Sequence, residues 1–378
     1  MSDPLPIEET NLAGIGSDED KAARAAAAKI DFHWNDDVGS TPGIQIWRVE
    51  NKRTEDDNPD FGIADWPSKQ YGKFHRGDSY IVLSTKMEEE EEKLYHDIYF
   101  WIGSESSQDE YGVAAYKAVE LDDLLGGEPM QHREIEGNES YAFSKCFPKG
   151  ITYLEGGVDS GFRNVSEDDD DHLANLRRLY RVYKKPSGQK TTRIFQVPCE
   201  CSSLNDGDAF LLDAGTKVYT WFGSTVSGFE KAKSAQVAHN IRENRLGDCE
   251  CVLDVEEDNE EFWEALGGKG EIAPAVEEEE EAEEAEKKMY HVSDESGIVK
   301  VKEIPLSKDG LVSDDVCIID AGKDVYVWIG SNSSKDEKDQ AMMITSRYLK
   351  AVGRFGASCV TRVVEGQEGR CRAFSQVF

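Results

Sequence analysis

An aromatic strand ending in Trp-x-Gly occurs three times in this 378-residue chain, each time with a glutamate seven residues past the glycine. Tyr99-Phe-Trp101-Ile-Gly103 leads to Glu110, Val218-Tyr-Thr-Trp221-Phe-Gly223 to Glu230, and Val325-Tyr-Val-Trp328-Ile-Gly330 to Glu337. A second marker precedes each one. Gly77-Asp78 opens Ser79-Tyr-Ile-Val-Leu83, Gly207-Asp208 opens Ala209-Phe-Leu-Leu-Asp213, and Asp314-Asp315 opens Val316-Cys-Ile-Ile-Asp320. From the second copy to the third both markers shift by the same number of residues. The first copy is longer between its markers by a polar insert, Lys86-Met-Glu-Glu-Glu-Glu-Glu-Lys93. Such a chain has to fold as three versions of one unit, and its length allows a core for each.

Each copy opens on a strand of alternating character: Gly43-Ile-Gln-Ile-Trp-Arg-Val-Glu50, Leu179-Tyr-Arg-Val-Tyr183 and Met289-Tyr-His-Val-Ser293. The two marked strands are almost unbroken apolar runs and belong in the centre of a sheet. Helices are predicted from Gln108, Phe229 and Lys335, with apolar residues at helical spacing such as Val113, Tyr116, Ala118 and Val119, and with Gly247 and Gly353 as C-terminal caps. A last strand and a small aromatic element follow. Ala142-Phe-Ser-Lys-Cys-Phe147 matches Ala373-Phe-Ser-Gln-Val-Phe378. The unit is α+β, a mixed sheet of about five strands with one long and one short helix.

The repeats divide the chain into an N-terminal extension (1–40), a first domain (41–162), a linker (163–177), a second domain (178–268), an acidic linker (269–288) and a third domain (289–378). The extension carries a helix-forming stretch over Ser17–Lys29 and an apolar anchor, Phe32-His-Trp34.

Lys and Arg number 43 against 76 Asp and Glu, a net charge of -33 that disfavours nucleic acid and anionic membranes as long-range partners. With no apolar run long enough to span a bilayer and no basic, apolar leader, a soluble cytoplasmic protein is expected. Its eight cysteines then read as reduced thiols, and the pairs Cys199/Cys201 and Cys249/Cys251 as one face of a strand.

The repeated carboxylates supply hard oxygen ligands of the kind calcium prefers. A second reading of the glutamates stays open, because Ser107-Gln-Asp-Glu110, Ser227-Gly-Phe-Glu230 and Ser334-Lys-Asp-Glu337 each spell a helix capping box. Capping leaves Asp78, Asp208 and Asp315 unexplained, since an unpaired carboxylate at the head of an apolar strand is costly. A carboxylate hydrolase fits poorly. The same acids recur in all three copies without a His, Ser or Cys constellation, so no catalytic activity is expected.

Taken together, the Gly-Asp strand, the Trp-x-Gly strand and the following helix, three times over, resemble the gelsolin superfamily, and the length resembles its severin and fragmin branch. Leu121-Asp-Asp123, Gln131-His-Arg-Glu134 and Gly156-Gly-Val-Asp-Ser-Gly-Phe162 extend the likeness in the first copy. The resemblance implies a calcium-activated protein that severs actin filaments, caps barbed ends and nucleates assembly, acting as a monomer of the cytoplasm and cytoskeleton. A barbed-end capper or monomer binder without severing is the alternative.

By the same resemblance, calcium ligands are Gly77, Asp78, Glu110 and Val158 in copy one, Gly207, Asp208 and Glu230 in copy two with an acid among Glu277 to Glu280, and Asp314, Asp315 and Glu337 in copy three. A further calcium shared with actin implies Asp122 with the Gly127 and Pro129 carbonyls. Actin contacts are Tyr116 and Val119 on the first long helix, where Lys117 stands in place of an aromatic residue, and Lys190 and Lys231 for the filament side, where Gln189 replaces an arginine. Packing on their own sheet is the other reading of Tyr116 and Val119. Arg177, Arg178, Arg181, Lys184 and Lys185 resemble a phosphoinositide-binding segment, or form a solvated charged strand. Calcium is expected to break contacts among the domains, with the second and third latched in its absence. A family disulfide is not expected, since the matching positions are Ala209 and Phe222.

Overall fold

The computed structural model describes residues 33–53, 59–88, 93–157, 176–184, 192–245, 249–275, 286–293 and 300–378. The predicted helix at Ser17–Lys29, Val158, Lys185, Lys190, Gly247 and Glu277 to Glu280 lie outside them, as does the side chain of Glu337. The chain divides into two compact units, one drawn from residues 1–71, 78–146 and 283–378 and the other from 72–77 and 147–282.

In the first unit, the first repeat supplies β1 (Gly43–Arg53), β2 (Pro59–Asp65), β4 (Ser79–Glu88), β5 (Lys93–Ile102), α1 (Gln108–Leu124), β6 (Met130–Ile135) and α2 (Tyr141–Lys145). The third repeat supplies β13 (Lys288–Ser293), β14 (Lys300–Ile304), β15 (Val316–Ala321), β16 (Asp324–Ile329), α5 (Lys335–Ala351), β17 (Cys359–Val364) and α6 (Arg372–Ser375). Their strands form one ten-stranded sheet in the order β14-β13-β15-β16-β17-β6-β5-β4-β1-β2. Each half keeps the same order of strands, with a single parallel pair, β5–β6 or β16–β17. The halves meet where β17 runs antiparallel to β6, pairing Val360 with Arg133 and Thr361 with His132. Both are outer strands of their own half, and the pairing covers two otherwise open edges. The sequence reading sets a latch between the second and third repeats; the strand pairing observed runs between the first and third.

The marked strands are central as predicted, with Tyr80, Ile81, Val82 and Leu83 of β4 and Val327 and Ile329 of β16 fully buried. On one face α1 packs through Ala114, Ala118 and Leu121, spaced for a single helical stripe, in the same core as Ala341, Met342 and Leu349 of α5. Trp34 of the extension joins this core, edge-on to Trp47 at 5.0 Å. Among the described residues no helix is long and apolar enough to cross a membrane.

The second unit holds β3 (Lys73–His75), β7 (Ile151–Leu154), β8 (Arg178–Lys184), β9 (Thr192–Val197), β10 (Ala209–Asp213), β11 (Lys217–Phe222), α3 (Gly228–Asn244), β12 (Glu250–Val252) and α4 (Glu260–Ala265). Its sheet runs β12-β11-β10-β8-β9-β7-β3. Five of these strands repeat the order seen twice in the first unit, and the outer two come from the first repeat's sequence. All eight cysteines are free thiols. The Cys199/Cys201 pair is not strand: Pro198, with no N–H to give a ladder, ends β9, and a short turn begins at Cys201.

The second and the third repeat each contain an arginine–aspartate clamp at the equivalent place. Arg245 donates to both oxygens of Asp213 at 2.7 and 2.8 Å, and to the Gly215 carbonyl at 2.8 Å. In the third repeat Arg354 holds Asp320 and donates to the Gly322 carbonyl, and Tyr348 adds its hydroxyl to Asp320 at 2.6 Å.

Candidate calcium and actin sites

The two sequence markers of each repeat are one piece of structure. The amide of the Trp-x-Gly glycine donates to the carbonyl of the marker aspartate at 3.0 Å in every copy: Gly103 to Asp78, Gly223 to Asp208 and Gly330 to Asp315. At Gly223 and Gly330 an added Cβ would strike the carbonyls of Asp206 and Ser313. The glycine therefore lets one loop cross close over the other and brings the strand head to the start of the long helix.

The capping reading of the glutamates is correct where their side chains are described. Ser107 and Ser227 form capping boxes with Glu110 and Glu230. Oε2 of Glu110 accepts from the Ser107 amide at 2.8 Å and hydroxyl at 3.0 Å, and from the Ser106 hydroxyl at 3.3 Å. Ser106 also meets Ser79, the residue after Asp78, at 2.8 Å. Capping uses only half of the Glu110 carboxylate. Its Oε1 is buried without a hydrogen-bond partner, a lone hard oxygen that suits a cation.

Each marker aspartate has a basic partner that the sequence reading missed. Arg48 approaches Asp78 Oδ2 through Nε at 2.7 Å and Nη2 at 2.5 Å, both side chains being buried. Arg181 reaches Asp208 Oδ2 at 2.6 Å, beside Asn205 at 2.7 Å. In the third repeat His291 Nε2 lies 3.0 Å from Asp315. The signal was present in the aligned first strands, where Trp-Arg-Val, Tyr-Arg-Val and Tyr-His-Val place the base at one position.

The remaining predicted ligands are distributed as follows. In the second unit Gly77 donates its amide to Gly156 at 2.8 Å, and a Cβ there would press on that same carbonyl. Gly207 donates to Asn205 Oδ1 at 2.8 Å. Asp314 is exposed. Among the described residues no three His, Cys, Asp or Glu side chains gather as a metal cluster.

At the end of α1, Asp122 is buried and accepts from Arg362 Nη1 of β17 at 2.7 Å. Burial pushes its carboxyl above the ordinary aspartate range, with Arg362 opposing. Its Oδ1 has no hydrogen-bond partner. The following turn, with Gly127 at φ +74° and a buried Pro129, is held by the third repeat as well: Gln367 and Arg370 donate to the Glu128 carbonyl at 3.2 and 3.5 Å.

On α1, Tyr116 and Val119 fall off the buried stripe and are half-buried. Lys117 is buried and reaches Glu120 at 2.8 Å, and Glu120 also accepts from the Trp34 indole at 3.1 Å. In the second unit Lys231 is exposed and lies over the Phe222 ring at 5.0 Å. The basic run is split by strand alternation and by pairing. Arg181 is committed to Asp208, Arg177 is exposed, and Arg178 is half-buried on the opposite face of β8.

The seam between first and third repeats carries an acid outside these sites. Glu134 is wholly buried, accepts from the Ser140 hydroxyl and amide at 2.6 and 2.7 Å, and lies 3.5 Å from the Cys359 thiol. Burial raises it from 4.5 to about 8. The neutral acid is thus favoured when folded. Its contribution to stability is full below 4.5 and is lost progressively as pH rises to about 8. Melting curves in chelator should therefore show Glu134→Gln gaining on the unaltered chain from pH 5 to pH 8. Parallel curves would remove Glu134 as the source.

A gelsolin repeat family model matches residues 67–144, 192–264 and 297–370, together more than half of the chain. Actin depolymerising venom protein gelsolin 1 of Platymeris rhadamanthus is 38% identical over 365 residues, 92% of each chain. Gelsolin-like protein 2 of Lumbricus terrestris is 36% identical over 347 residues, 90% of this chain and 89% of that one. Gelsolin of Drosophila melanogaster is 35% identical over 391 residues, and there the chain spans about half (46%) of the relative's length. Three matched repeats and two relatives matched over about nine tenths of both chains lead to one conclusion: the chain belongs to the gelsolin family.

Proposed function

We propose that this chain is a calcium-activated actin-binding protein that severs filaments, caps their barbed ends and nucleates assembly. The observation that carries the reading is the likeness, over 92% of both chains, to a relative whose name describes actin depolymerisation. It acts by binding, as a monomer of the cytoplasm and cytoskeleton.

Calcium, when bound, supplies the charge that Asp78 with Glu110, Asp208 with Glu230, and Asp315 with Glu337 are suited to neutralise, with Gly77, Val158, Gly207 and Asp314 as further ligands. The buried, unpartnered Oε1 of Glu110 supports that fit. At rest, Asp122 is held by Arg362 and its turn by Gln367 and Arg370. Asp122 and the Gly127 and Pro129 carbonyls serve a shared calcium only after β17 leaves β6. Opening is driven only if calcium binds the separated state more tightly. Lys190 and Lys231 of the second repeat then hold the filament side while Tyr116 and Val119 of α1 enter a groove on actin. Arg177, Arg178, Lys184 and Lys185 are offered to phosphoinositides, and Arg181 only if it leaves Asp208.

A capper without severing is favoured by one feature, the buried Lys117–Glu120 pair where the family has an aromatic contact. Imaging fluorescent filaments in chelator and then calcium separates the readings. Breaks and stalled barbed ends only with calcium are expected; stalled ends without breaks select the capper, and unchanged filaments reject both.

A further inference from the structure

The basic partner of each marker aspartate occupies one register position. Arg48 pairs across the sheet with Tyr80, Arg181 with Phe210 and His291 with Cys317, each two residues past the aspartate. A role confined to burying one carboxylate would need this position only where the aspartate is deep. It recurs although Asp78 is fully buried, Asp208 is 10% exposed and Asp315 is 32% exposed.

We propose that Arg48, Arg181 and His291 are tethered basic side chains that hold the three aspartates until a divalent cation displaces them, so that this residue sets how tightly each repeat takes calcium. The inference rests on the calcium reading above. A guanidinium paired with a carboxylate competes with a metal for its charge and lone pairs, so calcium binding in the first two repeats works against a charged pair. The apparent affinity falls by the fraction of time the aspartate is free. The three repeats differ in how firmly they hold. Arg48 hydrogen-bonds through Nε to a fully buried Asp78 and is backed by the Trp66 ring at 5.5 Å. Arg181 likewise bonds through Nε and lies over the Tyr183 ring at 4.8 Å, but its aspartate is 10% exposed; a guanidinium keeps its charge and its fixed fork of donors. His291 offers a single ring nitrogen to a more open carboxylate. The third repeat is thereby the first to fill as calcium rises, and the first repeat the last.

The test is calorimetric titration of the full chain with calcium chloride, in backgrounds where two of Asp78, Asp208 and Asp315 are replaced by Asn so that one repeat reports. Arg48→Met keeps the aliphatic stem and removes the charge. Its site should bind calcium about tenfold more tightly, while its melting temperature in chelator falls and recovers with calcium. Equal or weaker binding would overturn the proposal, because a merely structural Arg48 loses stability and distorts the site. If Arg48→Met does not fold, His291→Arg decides, at a half-open position. A roughly tenfold weaker third site is expected, and an unchanged one overturns the idea. Failure of the calcium reading looks different: the unaltered chain takes up no calcium, or takes it up equally with all three aspartates replaced.

Discussion

Gly330→Ala should destabilise the third repeat by at least about 3 kcal/mol. The new Cβ would land on the Ser313 carbonyl, and this is backbone, which cannot swing aside as a flexible side chain does. Moving it apart also breaks the Gly330 amide bond to Asp315 at 3.0 Å and the Asn332 amide bond to Ser313 at 2.9 Å. The same substitution at Gly112 is the control. Gly112 sits inside α1 with nothing within 4 Å of its missing Cβ, so Ala there should stabilise by about 0.5–1 kcal/mol through lower backbone entropy of the unfolded chain. Thermal unfolding of both variants reads the contrast. Similar small losses at both sites would show that the crossing of the two marker loops is not a tight contact.

The second large effect is at the seam. Replacing either Asp122 or Arg362 by Leu should cost about 3–5 kcal/mol, because each leaves the other's charge buried and uncompensated. The double replacement should recover most of that loss, since an apolar pair has no desolvation cost to offset. A cycle built from these four chains, unfolded in denaturant with chelator present, measures the coupling. Additive losses would mean that the two groups do not depend on each other. In the actin reading, Arg362→Leu also acts at lower calcium than the unaltered chain, because one contact closing the resting state is gone.

Much of the fold was legible because the chain states it three times. Periodicity and composition locate the central strands and long helices, and the helix starts at Gln108 and Lys335 coincide with the predicted ones. The capping boxes were readable from Ser-x-x-Glu alone. What stayed hidden is what pairs across distance. A base in an amphipathic strand looks like an outward-facing charge until a partner strand sets its register, so Arg181 read as part of a basic run when it is the counter-ion of Asp208. Likewise Asp122 and Arg362 come from distant parts of the chain, and no spacing rule connects them. The pairing of β6 with β17 was out of reach for a related reason: edge strands advertise open backbone, and the choice of mate depends on surrounding side chains such as Arg133, which donates to the Ser358 and Phe355 carbonyls at 3.0 and 2.8 Å.

The interleaving of the two units bears on how the protein is made. The first unit needs residues 1–71 and 78–146 together with 283–378, while the second is complete by residue 282. On a ribosome, β6 therefore emerges with its edge unpaired and stays so throughout synthesis of the second repeat, at a few to twenty residues per second, until β17 follows. The first repeat's strands spend that interval as an open template on which a neighbouring nascent chain can add a strand. Slow, non-local closure of this kind governs folding rate more than final stability. Crowded expression should consequently lose yield through association of half-made chains, a loss that slower initiation relieves and that added calcium does not.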